Sequence, residues 1–576
     1  MSPAEAGGDD YTQDGTVDLR GNPVRRSKRG RWTACSFIVV YEVFERMAYF
    51  GISSNLVVYL TTKLHQGTVQ SANNVTNWVG TSWITPILGA YVADAHLGRY
   101  WTFVIGSGIY LAGMLVLTLA VSLRGLKPPP CSATDASNCK KASLLQLAVF
   151  YGGLYTLVVG TSGTKPNIST IGADQFDDFD TKEKAHKLSF FDWWMFSVFF
   201  GTLFGNTVLV YIQDDVGRAL GYGLPTLALA VAIAIFLAGT PRFLNKACVR
   251  TGSTSLWKLS SVTQVEETKQ MLRMIPILLA TFVPSCMMAQ INTLFVKQGT
   301  TLDRSMGSFK IPPASLAGFT TASMLVCIVV YDRVFVKIMR RWTKNPRGIS
   351  LLQRMGIGLL LHIMVMTVAS FTERWRLRVA REHGLVESGG QIPLTIFILL
   401  PQFVLMGVAD GFLEVAKMEF FYDQVPESMK SLGTSYAMAT LGIGNFISSF
   451  LLSTVSRLTE RNGHHGWILD NLNASRLDYY YAFFAVLTLL NFAFFLFVAK
   501  HYVYRAEVSD SMAMLEEELK GAPWIGQLQF ATYWGCVDEM TVKRCLLPKL
   551  FASSLQCALL HICTKDDDID NYQPWF

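Results

Sequence analysis

Charge is what this sequence has least of. Asp, Glu, Lys and Arg make up 16% of its 576 residues, against ~25% in soluble globular proteins. With 51% hydrophobic residues beside so little charge, the chain cannot cover a water-facing surface, and a soluble multidomain protein is excluded. Catalytic signatures are missing as well. There is no nucleotide-binding glycine loop, no zinc-binding histidine pair and no nucleophile elbow, so an enzyme reading has no residues to stand on. The ten cysteines are scattered without metal-ligand spacing; Cys131 and Cys139 alone share a loop in which they could pair. The net charge of +7 is spread over loops, which speaks for membrane orientation rather than nucleic-acid binding. No cleavable signal peptide is expected, because the first thirty residues are polar and end in the basic run Arg25 to Arg31.

What is present is a series of apolar stretches of helical length. About twelve spans of some twenty residues are expected. They centre on Phe44, Ile87, Leu111, Val158, Phe199 and Ala230, then on Pro284, Val326, Leu361, Leu405, Ile443 and Val486. The basic run before the first span puts the N-terminus in the cytosol. The stretch Lys337 to Lys344 agrees with that topology, whereas Arg374, Arg376, Arg378 and Arg381 fall in an outside loop and do not. Segment 1–33 is thus a cytosolic lead. Residues 34–239 and 270–503 are two six-helix bundles, joined by a polar cytosolic linker over 240–269. Residues 504–576 form a poorly ordered cytosolic tail. Asn74 and Asn473 are glycosylation acceptors in outside loops, Asn473 the better placed.

The first span carries the chemistry. Glu42, Glu45, Arg46 and Tyr49 stand at i, i+3, i+4 and i+7, on one helix face at mid-bilayer depth. Each charge there costs about 3 kcal/mol on insertion scales unless something compensates. Two readings are open: a charged stripe facing a watery cavity, or a structural ion pair locking two helices. Lys165, in Gly163-Thr164-Lys165-Pro166, poses the same problem, since an unpaired ammonium in an apolar segment destabilises the fold. Gly89, Asp94, Gly98 and Arg99 mark a tight turn between spans two and three, where Asp94 and Arg99 can cap and pair. Tyr331-Asp332-Arg333 occupies the matching place in the second half, which suggests a duplicated six-helix unit with its binding site between the halves.

The stretch Glu42-x-x-Glu45-Arg46-Met47-Ala48-Tyr49-Phe50-Gly51 resembles the first helix of the proton-dependent oligopeptide transporters. In plants these are the nitrate/peptide transporter family of the major facilitator superfamily. Gly172 to Asp177, Gln353 to Gly358 and Glu419 to Gln424 extend the likeness from about Tyr11 to Ala506, and it is nearest the fifth plant subfamily. The resemblance implies an all-α membrane protein of twelve transmembrane helices with the major facilitator fold, working by alternating access. It implies that Glu42, Glu45 and Arg46 bind the driving proton, the coupling ion, with no other cofactor and no metal. It implies that Lys165 pairs with an acid in span ten, here Asp410 where the family usually has glutamate. The family's peptide-binding asparagine falls on Phe199, the histidine of a nitrate-carrying relative on Met288, and a family tyrosine on Trp83. Tyr49, Phe50, Trp83, Phe199, Met288 and Glu414 are the remaining candidates to line the cavity.

The implied function is proton symport of di- and tripeptides. Nitrate, another small metabolite or a hormone is the alternative cargo, and a ligand-binding sensor without net transport is the alternative of another class. The partners are then a small-molecule substrate and the lipid bilayer, with no nucleic acid. The expected address is the plasma membrane or the tonoplast. The short central linker and the long tail depart from the family and suggest an unusual gene product.

Overall fold

The structure, a computed structural model, describes residues 16–17, 31–129, 141–176, 181–240, 245–246, 272–343, 348–425, 430–460 and 466–502. Helix dominates them. In lipid every backbone N–H and C=O must find a partner within its own segment, and a helix provides this. The first half contains α1 (Arg31–Thr62), α2 (Thr68–Val92), α3 (Arg99–Ser122), α4 (Leu144–Ala173), α5 (Thr181–Phe204, continued by π turns to Val216) and α6 (Arg218–Ala238). The second contains α7 (Ile275–Gly299, broken at Thr281 and Asn292), α8 (Pro313–Thr343), α9 (Leu351–Glu382), α10 (Leu400–Gln424), α11 (Lys430–Glu460) and α12 (Leu477–His501). Local chemistry fixes several ends. Ser143 with Gln146 and Ser350 with Gln353 form capping boxes that start α4 and α9.

Among the described residues ten helices, α3 to α12, are long and apolar enough to cross a membrane. The other two have the length, 32 and 25 residues, but not the composition. α1 carries Glu42, Glu45 and Arg46, and α2 is rich in Ser, Thr and Asn. Their polar side chains turn inward: Ser71, Thr76 and Ser82 of α2 are buried. Large apolar side chains such as Leu88, Leu227, Phe371, Phe450 and Leu490 stay exposed instead, as a lipid-facing surface requires.

The buried apolar side chains form two clusters, one drawn almost wholly from α1 to α6, the other from α7 to α12. The exceptions are informative. Val296 and Ala314 belong to the first cluster and Ala72 to the second. All three lie at the end of the bundle away from Arg31. Polar ties between the halves sit at that same end. Thr68 donates its backbone N–H to Asp470 at 2.6 Å, Asn73 bonds Ser453 at 2.8 Å and Ser449 at 3.1 Å, and Asn292 reaches Ser53 at 3.4 Å. Strands are minor: Thr16–Val17 pairs Asn245–Lys246, Leu302–Asp303 pairs Ile392–Thr395, and Ser305–Met306 pairs Phe309–Lys310.

Two expectations are overturned at that end. Asn473 is buried, with its amide donating to the carbonyls of Leu385 (3.1 Å) and Gly390 (2.8 Å) and its Oδ1 accepting from Arg376 (2.9 Å), so no glycan can be attached to it in the folded chain. Asn74 lies within α2 and is tied to Gln66 and Tyr151. The arginines of 374–381 belong to the end of a helix rather than to a loop, and Arg374, Arg378 and Arg381 stay exposed there. α9 is 32 residues long, about 48 Å, and outruns a ~30 Å bilayer core. Arg376 is fully buried, joined to Glu373 through two contacts of 2.6 and 2.7 Å, to Thr301 at 3.0 Å and to the Leu472 carbonyl at 2.8 Å. Gln298 closes the network on Glu373 at 2.5 Å. Cys131, Cys139, most of the linker and the tail beyond Tyr502 lie outside the described residues.

Removing one member of so dry a pair strands the other. Arg376→Ala is expected to lower stability by about 3–5 kcal/mol, read as loss of folded protein in detergent on heating. Asn473→Gln is expected to leave the peptide-N-glycosidase shift of the wild type unchanged.

Candidate functional site

The charged stripe of α1 lies inside the first-half bundle. Glu42, Glu45 and Arg46 are 1%, 2% and 7% exposed, too little for a face in open water. Arg46 donates from Nε to Glu42 Oε1 at 2.6 Å, and the same Nε stands 3.3 Å from Glu45 Oε2. The pairing follows from helix geometry, since i and i+4 are stacked one turn apart. Gly201 of α5 brings the two helices close enough to bury it. A Cβ at Gly201 would come within 2.9 Å of the Arg46 Cβ and would strike the Val43 carbonyl. The Trp194 indole of α5 faces Glu42 without reaching hydrogen-bond geometry. Both oxygens of Glu45 are buried, with no hydrogen-bond partner among the described residues.

Lys165 of α4 points into this site. Its Nζ lies 3.9 Å from the centre of the Tyr49 ring and 4.8 Å from that of Trp83. Like Glu45, it has no hydrogen-bond partner among the described residues. Ring faces attract a cation, by ~2 kcal/mol or more when water is excluded, but they accept no hydrogen bond of ordinary strength. Tyr49 is held from the other side by Trp78, stacked at 5.4 Å, and by Phe50, edge-on at 5.3 Å. Two carboxylates, a guanidinium and an ammonium therefore share one buried cluster, and their formal charges cancel.

The second half supplies a partner that the sequence did not reveal. The resemblance pairs Lys165 with Asp410, but the structure does not join them. Asp410, 2% exposed, contacts His362 of α9, with Nε2 3.2 Å from Oδ1. His362 went unnoticed because a single histidine in an apolar span has no spacing to mark it. Glu414 is taken by Lys417 at 2.7 Å, and Lys417 also donates to Thr440 of α11 at 2.8 Å. Phe199 and Met288 stand half-buried on α5 and α7.

At the turn after α2, Gly98 has φ of +77°, a conformation that suits glycine. Gly89 is pressed against the backbone at Ser162. Arg99 pairs with Asp174 at the end of α4, at 2.8 Å, so the turn is tied to α4. The side chain of Asp94, its expected partner, lies outside the described residues.

Among the described residues Arg46 is the one group that contacts both buried carboxylates, so Arg46→Met is expected to destabilise the bundle by about 3–5 kcal/mol and to cut the amount reaching the membrane. Arg46→Lys keeps the charge but loses the planar fork, and is expected to fall between Arg46→Met and wild type in surface expression.

Comparison with known proteins agrees with this geometry. The POT family profile matches residues 100–249 and 245–468. The chain is 65% identical to the Arabidopsis thaliana Protein NRT1/ PTR FAMILY 5.2, covering 89% of this chain and 98% of that one, and 62% identical to its Protein NRT1/ PTR FAMILY 5.3, covering 89% and 97%. The crystal structure of an auto-inhibited POT family peptide transporter superposes with a TM-score of 0.65 at 19% identity, over 82% of this chain and 98% of that one. The likeness runs over both halves, and it accounts for the paired clusters, the inward-facing charges and the apolar outer surface together. This chain is a multi-pass membrane transporter of the POT (NRT1/PTR) family.

Proposed function

We propose that the protein is a proton symporter that moves short peptides by alternating access, with Glu42, Glu45 and Arg46 as its proton-coupling group. The observation that carries this reading is the pair of unsatisfied polar groups, Glu45 and Lys165, in one buried cluster. A buried carboxylate with no donor is costly, and so is a buried ammonium with no acceptor. A proton on Glu45 and an anionic group on Lys165 would satisfy both. Binding of the two would then be linked through charge. With Glu45 protonated the site carries one excess positive charge, which an incoming carboxylate cancels.

Tyr49, Phe50 and Trp83 supply an aromatic wall suited to an amphipathic cargo. Asp410 and Glu414 belong to α10 of the other half, and the gate would move between these helices. The ties of Asp470, Ser449 and Ser453 to α2 hold the outer end closed, so the cavity would here open to the cytosol. Gly89, Asp94, Gly98 and Arg99 would form the inner hinge.

Nitrate is the second reading, because Lys165 would hold that anion as readily as a peptide carboxylate. Phe199 and Met288 offer no hydrogen bond to either cargo. The coupling ion would be the proton alone, and the membrane the plasma membrane, with the tonoplast as second address. A sensor that binds cargo without moving it is the remaining alternative, and uptake decides it.

The test is uptake of labelled dipeptide and of nitrate in one expression system, with and without an inward proton gradient. Gradient-driven accumulation that a protonophore abolishes is expected in wild type, and its loss is expected in Glu45→Gln. Accumulation by Glu45→Gln under the gradient would refute the assignment. Saturable binding with no accumulation would favour the sensor.

A further inference from the structure

α8 is longer than a bilayer needs. Its 31 residues from Pro313 to Thr343 make a rod of about 46 Å, against a hydrocarbon core of ~30 Å. No charged residue occurs from Pro313 to Tyr331, and that stretch alone is about as long as the core is thick. The surplus is therefore the end from Asp332 to Thr343.

The last two turns, Val336–Thr343, show three different sides. One is covered by the returning chain. A Cβ at Gly348, where φ is +81°, would come within 3.2 Å of the Val336 Cα and 3.4 Å of the Met339 Cβ. Thr343 Oγ1 donates to the Gly348 carbonyl at 2.5 Å, which pins the helix end. The second side is basic. Arg333, Lys337, Arg340 and Arg341 stand at i, i+4, i+7 and i+8, and all four are exposed. Asp332 lies 3.7 Å from Arg333, and both stay largely in the open. Lys337, Arg340 and Arg341 have no ion pair among the described residues. The third side is apolar: Ile338 and Trp342, one turn apart, are 51% and 82% exposed.

This apolar side continues the outer surface of the span. Val326 and Val330 are exposed there, in the stretch that fills the core. In an unbroken α-helix Val330 would point about 100° away from Ile338 and Trp342. The π turn Tyr331–Phe335 takes up one extra residue and brings the two pairs into line. An apolar stripe thus runs from the span into the surplus turns, with the basic stripe on the adjoining side.

We propose that this end of α8 is a docking site for anionic phospholipid headgroups of the leaflet it projects from. Arg333, Lys337, Arg340 and Arg341 bind the phosphates, and Ile338 and Trp342 rest on the upper part of the acyl chains. Tryptophan favours that depth, since its ring is apolar and its N–H is polar. The arginine forks match phosphate oxygens two at a time, and long basic side chains reach the headgroups while their stems stay in the apolar zone. An acidic protein would match the basic stripe but would leave unexplained why the apolar stripe is continuous with the span. The site is independent of the cargo and of its coupling to protons. Because Gly348 ties α8 to the capping box that starts α9, a lipid held here would fix the depth of both helices.

Two measurements on the full chain in nanodiscs test this. The first is retention of lipid, read by native mass spectrometry after release from discs of phosphatidylcholine and phosphatidylserine. Wild type is compared with the triple variant Lys337→Gln, Arg340→Gln, Arg341→Gln. These positions are exposed, so folding is not at stake, and an unchanged monodisperse elution in detergent checks it. The triple variant is expected to hold phosphatidylserine roughly tenfold or more weakly than wild type. Equal retention by the two proteins would overturn the site. Displacement of the lipid by inorganic phosphate at matched ionic strength would mark a free-anion site and overturn the membrane reading.

The second follows Trp342 through the fluorescence difference between wild type and Trp342→Phe. Brominated phosphatidylcholine is expected to quench that difference signal, and acrylamide in the water to leave it nearly untouched. A signal that acrylamide quenches and bromine does not would place the ring in water and refute the docking.

Discussion

The bond from Arg46 to Glu42, buried at mid-span of α1, constrains everything around it. A helix with three ionised side chains at that depth cannot face lipid. It must be enclosed by other helices, and they must supply either counter-charge or room for water. The small residues of α5 answer the first demand by letting the two backbones nearly touch. Lys165 answers the second: it restores electroneutrality without directly capping either carboxylate, leaving polar capacity unused. A structural ion pair would have consumed that capacity. In the buried Arg376–Glu373 network at the other end of the bundle, the guanidinium binds the carboxylate at two points and reaches three further acceptors. The two sites differ in how many of their buried polar atoms find partners.

The same contrast runs along the axis of the bundle. Away from Arg31, the halves are joined by short polar bonds and by apolar side chains that cross from one cluster to the other. Each such bond is worth only about 0.5–1.5 kcal/mol. The network around Arg376 lies within the second half and ties α7, α9 and the segment before α12 together.

How much of this was legible beforehand follows from chain distance. The charged stripe of α1 and the Glu414–Lys417 pair are local, at spacings of three and four, and helix periodicity alone puts their members on one face. The aromatic wall beside Lys165 was only partly legible. Trp83 and Tyr49 come from different helices and meet over an ammonium on a third. His362 was missed outright, and the burial of Asn473 reversed an expectation drawn from the apparent length of its loop.

Composition and periodicity by themselves determined that this chain lives in a bilayer, as many apolar helices with one charged face turned inward, because lipid imposes hydrogen-bond and charge rules that act on each segment separately. Motif resemblance added the transporter family. Only the tertiary structure decided which groups answer which. It gave Asp410 to His362 rather than Lys165, Arg99 to Asp174, and Arg376 near the end of α9 to a buried network. The physical reason is that a buried charge takes whichever partner the packing delivers within about 3 Å, and that choice depends on helices far apart in sequence.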